Sequence, residues 1–113
     1  ISTHGGRQLD SAPPSLAVLP LIRQALGPDY PLLFDSGVRN GEDIVKALVC
    51  GANMVMLGRP VLYALAANGA RGVDALFNGL AYDISAAMAQ LGARNISNLT
   101  PAMIVKKNHA LPD

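Results

Sequence analysis

Two short apolar runs, Pro31-Leu32-Leu33-Phe34 and Met54-Val55-Met56-Leu57, constrain the fold of this chain more than any other feature. Each is continuous rather than alternating and is bounded by turn residues, which fits a strand buried on both faces, as in a parallel sheet. Between them the period changes. Ile44, Val45, Ala47 and Leu48 share one helical face, Glu42 and Lys46 are spaced for an ion pair, Asn40 suits the N-cap, and Gly51 is placed to end the helix.

The same alternation extends in both directions. After the turn-rich connector Ser11–Ser15, an interrupted helical stripe runs through Leu16, Val18, Leu19, Ile22 and Leu26, and Gly27-Pro28-Asp29 stops it. Pro20 lies inside that stripe and is expected to start a new helical turn, where its missing N–H is harmless. Beyond the second run, Gly58-Arg59-Pro60 closes the strand and Val61 to Ala67 reads as a short helix. A longer helix from about Ala70 to Leu91 carries Val73, Leu76, Phe77, Leu80, Ile84, Met88 and Leu91 on one face before Gly92. Thr100-Pro101 opens a tail (about 101–113) with a basic, exposed end at Lys106-Lys107 and a solvated His109. Met54 and Met56 are expected in the core, and Cys50 is expected to be buried and inert.

Chemistry is densest at the start, in Thr3-His4-Gly5-Gly6-Arg7-Gln8-Leu9-Asp10. A neutral imidazole can take a proton near physiological pH, a guanidinium fork suits a planar anion, and glycine lets backbone approach a ligand closely. Ile1 is not an initiator Met, and no element precedes this stretch to hold it, so an N-terminal part of a longer protein is expected before it. The chain has 113 residues, half of them apolar, and a formal net charge of +1, which suits a single domain of modest core. With no Lys/Arg stripe and only five aromatic residues, a nucleic-acid partner is not expected. Neither is a metal centre or a disulfide framework, since Cys50 is the lone cysteine. No apolar run is long enough to span a bilayer, and a reducing, cytoplasmic setting is the simplest fit.

Helices alternating with short apolar strands, with every chemically interesting group following a strand, is the pattern of a (β/α)₈ barrel whose function gathers at the strand C-termini. Two strands and the Ile1-Ser2 stub cannot close a barrel, because their edges would lack partners. The fold class expected is therefore α/β, about the last three βα units of a TIM barrel, with residues 1–113 as a single partial domain.

Three motifs in one order resemble the FMN-dependent α-hydroxy-acid dehydrogenase/oxidase family, which includes glycolate and lactate oxidases, mandelate dehydrogenase and the flavin domain of flavocytochrome b2. The opening Thr3-to-Asp10 stretch is similar to that family's S-N-H-G-G-R-Q-L-D signature, departing at Thr3. Asp35-Ser36-Gly37-Val38-Arg39 resembles its D-G-G-x-R loop with Ser36 for the first Gly, and Gly58-Arg59-Pro60 resembles its G-R-P segment. The resemblance implies FMN as cofactor and oxidation of a small 2-hydroxy acid to a 2-oxo acid. His4 would be the active-site base and Arg7 the holder of the substrate carboxylate. Asp35 would bond the ribityl chain, with Ser36, Gly37, Val38, Arg39, Gly58 and Arg59 along the ribityl–phosphate side.

Residue types leave two routes open: the proton leaves carbon, or it leaves oxygen with hydride transfer. The family's tyrosines, histidine-partner carboxylate and flavin-side lysine come from earlier parts of the barrel, so a complementary N-terminal half-barrel is implied, and in complete form a homo-oligomer, a tetramer. The alternative reading is a non-catalytic FMN- or phosphate-binding partial barrel, inactive without that segment.

Overall fold

The computed structural model describes residues 1–105; Lys106, Lys107 and His109 of the expected basic tail lie outside them. In chain order the main elements are α1 (Ser15–Leu26), β1 (Leu33–Phe34), α2 (Gly41–Val49), β2 (Met54–Val55) and α3 (Arg59–Gln90). The alternation expected from the apolar runs is present. β1 and β2 pair in parallel with Leu33 opposite Met54 and Phe34 opposite Val55, and α2 makes the crossover that parallel neighbours require.

The core lies between one face of this sheet and the helices, where Leu19, Leu32, Phe34, Val38, Ala47 and Ala52 are buried together and Ile1, Val55 and Leu57 pack against them. The strands are not covered on both faces. Leu33, Met54 and Met56 point the opposite way and are 43%, 57% and 40% exposed, so the expected core role of the two methionines is corrected. An apolar residue on the second face of a parallel strand needs a covering layer, and none of the described residues supplies it.

Pro20 is a second correction: it stands exposed inside α1, not at the start of a new turn. An interior proline costs about 3 kcal/mol through its lost amide and its ring. Fully buried Leu19, with Leu16 and Ile22 against the core, offsets this at about 1.5–3 kcal/mol for each well-buried side chain.

α2 follows its sequence signals. Asn40 Oδ1 accepts from the Asp43 amide at 2.9 Å, Lys46 reaches Glu42 at 3.6 Å, and Gly51 at φ +105° follows the helix end. α3 runs over both expected helices, broken at Asn68 (φ −153°, ψ 31°) and Gly69 (φ 56°, ψ −145°). Its long arm buries Leu80 and turns out through Gly92 at φ +70°, but Phe77 and Leu91 are 51% and 37% exposed and leave the expected apolar face. Gly41 lets α2 meet α3 closely, since a Cβ there would lie 2.4 Å from Asp83 Cβ. Among the described residues no helix is long and apolar enough to cross a membrane.

Candidate active site

The opening segment reaches the site by joining the sheet. Ile1 N donates to the Leu33 carbonyl and Asp35 N donates to the Ile1 carbonyl at 3.0 Å, which makes Ile1 a strand stub beside β1. Past this anchor the backbone turns through His4, Gly5 and Gly6 at φ 51°, 64° and 75°. Glycine takes that region freely, whereas a histidine there costs about 1–2 kcal/mol and must be held by its surroundings. Two of the holding groups are Ser2, whose Oγ accepts from the His4 amide at 3.0 Å, and the Thr3 carbonyl, which accepts from Gly6 N at 2.9 Å.

The next two strand ends complete an open cleft of about 410 Å³. All nine residues singled out in the sequence line it: His4 and Arg7 from the opening, Asp35, Ser36, Gly37, Val38 and Arg39 after β1, and Gly58 and Arg59 after β2. Val38 contributes chiefly backbone, because its side chain is buried in the core. The loop carrying Arg39 is fixed by α2, as Asp43 Oδ2 accepts from the Arg39 amide at 2.9 Å.

Charge in the cleft is unbalanced. Three guanidiniums (Arg7, Arg39 and Arg59) face one carboxylate, Asp35, and none of the three makes an ion pair among the described residues. Gly58 stands at the N-terminus of α3 without a side-chain cap, adding the positive end of a helix. Cβ atoms built at Gly37 and Gly58 would meet nothing within 4 Å, so the backbone there is open to a ligand. Gly5 is different: a Cβ would lie 2.9 Å from Arg59 Nη2, so the glycine lets that guanidinium swing under the opening turn. The arrangement is suited to a large anion.

Several contributors carry weaker sequence signals. Ser15, buried at the start of α1, donates to the Asp35 carbonyl at 2.9 Å, and Ser2 Oγ donates to Asp35 Oδ1 at 2.6 Å. A serine directly after Pro13-Pro14 and before an apolar stripe marks a helix start, which was the available signal for Ser15. The signal for Ser2 is its place at the first position of the S-N-H-G-G-R-Q-L-D signature. The His4 ring makes no hydrogen bond to the described residues, and Cys50, against the core, has its thiol pushed up by burial.

Comparison with known proteins gives the family. The sequence pattern of the FMN-dependent dehydrogenase family matches residues 1–106. An L-lactate oxidase from Alicycliphilus denitrificans is 50% identical over 100 residues, covering 88% of this chain and 27% of that protein. An L-lactate dehydrogenase from Acinetobacter baylyi is 43% identical over 108 residues, covering 96% and 28%. Among solved structures, the monotopic membrane protein (S)-mandelate dehydrogenase superimposes with a TM-score of 0.86 at 48% identity, over 91% of this chain and 27% of that one. The solved neighbours are TIM-barrel flavoenzymes, and the chain spans little more than a quarter of the length of these relatives. With the family pattern running from residue 1 to residue 106, this chain belongs to the FMN-dependent dehydrogenase family.

Proposed function

We propose that this chain forms about the last three βα units of an FMN-binding TIM barrel, and that the complete barrel oxidises a small 2-hydroxy acid to a 2-oxo acid. The observation that carries the reading is the convergence of His4 and Arg7 with Arg39 and Arg59 on one cleft at the strand C-termini. The bare sheet face of Leu33, Met54 and Met56 supports a complementary half-barrel against it. A cytoplasmic setting and a homo-oligomeric complete enzyme belong to the same reading.

The residues fit the cofactor. Arg39, Arg59 and the first amides of α3 suit its phosphate, and Gly37 and Gly58 give the close backbone approach. Asp35 keeps Oδ2 for a ribityl hydroxyl while Oδ1 takes the hydroxyls of Ser2 and Ser36. FMN, when bound, supplies the acceptor for the two electrons the substrate gives up. The chain's own part is positioning and proton transfer: Arg7 holds the carboxylate in a two-pronged grip, and His4 takes the proton that leaves the substrate. His4 becomes an imidazolium when it takes that proton. A carboxylate from the complementary segment would fix its tautomer and support its charged form. By this reading the chain alone does not turn over.

The test is anaerobic mixing of the full-length protein with L-lactate, glycolate or (S)-mandelate while flavin absorbance is followed. At least one of these acids bleaches the flavin. His4→Ala slows bleaching by about 10²–10⁴-fold with FMN content retained. Bleaching at the original rate in that variant would remove His4 from the role of base.

A further inference from the structure

The geometry points to Ser36 as the residue that positions His4, an inference that rests on the assignment of His4 as base. Among the described residues only two non-glycine residues have positive φ, His4 at 51° and Ser36 at 84°, and they are tied to each other. Ser36 Oγ accepts from the amides on either side of His4, Thr3 N at 3.1 Å and Gly5 N at 3.3 Å. The same hydroxyl donates to Asp35 Oδ1 at 2.7 Å. Asp35 Oδ1 also receives Ser2 Oγ at 2.6 Å, and Ser2 Oγ accepts from His4 N at 3.0 Å. The bonds therefore close a ring around the base, running from His4 through Ser2 and Asp35 to Ser36 and back to the neighbours of His4.

A hydroxyl has one proton to give and two lone pairs, and all three are engaged here, so the side chain has none left for a ligand and the expected place of Ser36 on the ribityl–phosphate side falls to its backbone. Glycine would adopt φ 84° without the steric cost that serine bears. What glycine cannot do is accept from the Thr3 and Gly5 amides. Serine at this position trades local backbone comfort for two fixed points that bracket His4 but not Arg7. The left-handed turn of the base is thus set by the loop following β1, which also faces the cofactor side of the cleft. Ser36 touches neither substrate nor reacting atoms in this account. It is a positioning residue.

The experiment compares Ser36→Gly and Ser36→Ala in the full-length holoenzyme. In Ser36→Gly, kcat falls about tenfold, since a small misplacement of a reacting group is enough for that, while KM and FMN affinity stay within about twofold. Amide hydrogen exchange over residues 1–9, measured without substrate, becomes faster. Ser36→Ala shows the same kcat and exchange but a lower Tm than Ser36→Gly, because it keeps the strained φ without the bonds. Wild-type kcat and exchange in Ser36→Gly, with His4→Ala inactive, would overturn this inference alone. So would a kcat loss that merely follows loss of FMN, which would make the Ser36 hydroxyl a cofactor contact. Wild-type turnover in His4→Ala would overturn the reading of the base, and the role of Ser36 with it.

Discussion

The two ends of the β1–β2 pair use arginine in opposite ways. Where the strands begin, Arg23 turns its five N–H groups on five oxygens, the carbonyls of Gly51 (twice), Gly27, Pro28 and Tyr30, and Asn53 Oδ1, with one Nη1 hydrogen shared. Asn53 Oδ1 in turn accepts from Leu32 N at 2.8 Å, so one guanidinium gathers the ends of α1 and α2 and the entry to both strands. Where the strands finish, Arg7, Arg39 and Arg59 surround an open cleft and none makes an ion pair with the described residues. A cation saturated by the chain's own carbonyls holds the fold, whereas cations left unmatched beside open glycine backbone are available to an anion. The division between a stability end and a ligand end is the one a βα barrel makes.

The contrast is broken most severely by Arg23→Met. It removes charge-assisted bonds worth about 1.5–3 kcal/mol each in favourable cases, and a net loss of about 3 kcal/mol is expected from urea unfolding of the full-length protein. A loss below about 1 kcal/mol would mean the gathered carbonyls are served as well by water.

Gly41→Ala sharpens the contrast from the other side, because it places structural strain near the ligand end. The added methyl meets Asp83 Cβ at 2.4 Å and the Ile84 amide nitrogen at 2.5 Å, so α2 and α3 must move apart, at about 2 kcal/mol. Unfolding midpoints read this, and an unchanged midpoint would show that the two helices yield freely.

The smallest effect belongs to Cys50, at the end of α2 on the Arg23 side. Burial raises its thiol above the ordinary value, so the folded state keeps a proton that the unfolded chain releases. Stability therefore falls as pH rises through and beyond the ordinary thiol range, and is unaffected below it. Cys50→Ala flattens that part of the urea midpoint against pH, and an unaltered slope would locate the dependence elsewhere.

Much of this division can be read in the residues themselves. Asn40, Glu42, Lys46 and Gly51 announce α2 because caps and i,i+4 pairs are local, and they sit where their spacing places them. The cleft residues after β1 and β2 are legible because they follow apolar runs, His4 and Arg7 because of the dense His-Gly-Gly-Arg stretch, and chain order brings successive strand ends together. Arg23 was invisible. Its partners lie up to 30 residues away and are almost all backbone carbonyls, which every residue has. Pro20 departs from its local signal for a related reason, since the burial that holds α1 through it is tertiary. Met54 and Met56 read as core because their pattern asks for a second covering layer, which the described residues do not contain. The Ser2–Asp35–Ser36 ring joins segments 33 residues apart through short hydroxyls and carries no sequence period at all.

The most direct test of the two-ended account is the FMN dissociation constant of full-length Arg59→Met and Arg23→Met, measured well below the melting temperature of each. Losing a guanidinium–phosphate contact is expected to weaken binding by about 10–100-fold in Arg59→Met, while Arg23→Met binds within about twofold of the original protein. Equal weakening in both variants, or undiminished binding in Arg59→Met, would contradict the assignment of Arg59 to the cofactor phosphate.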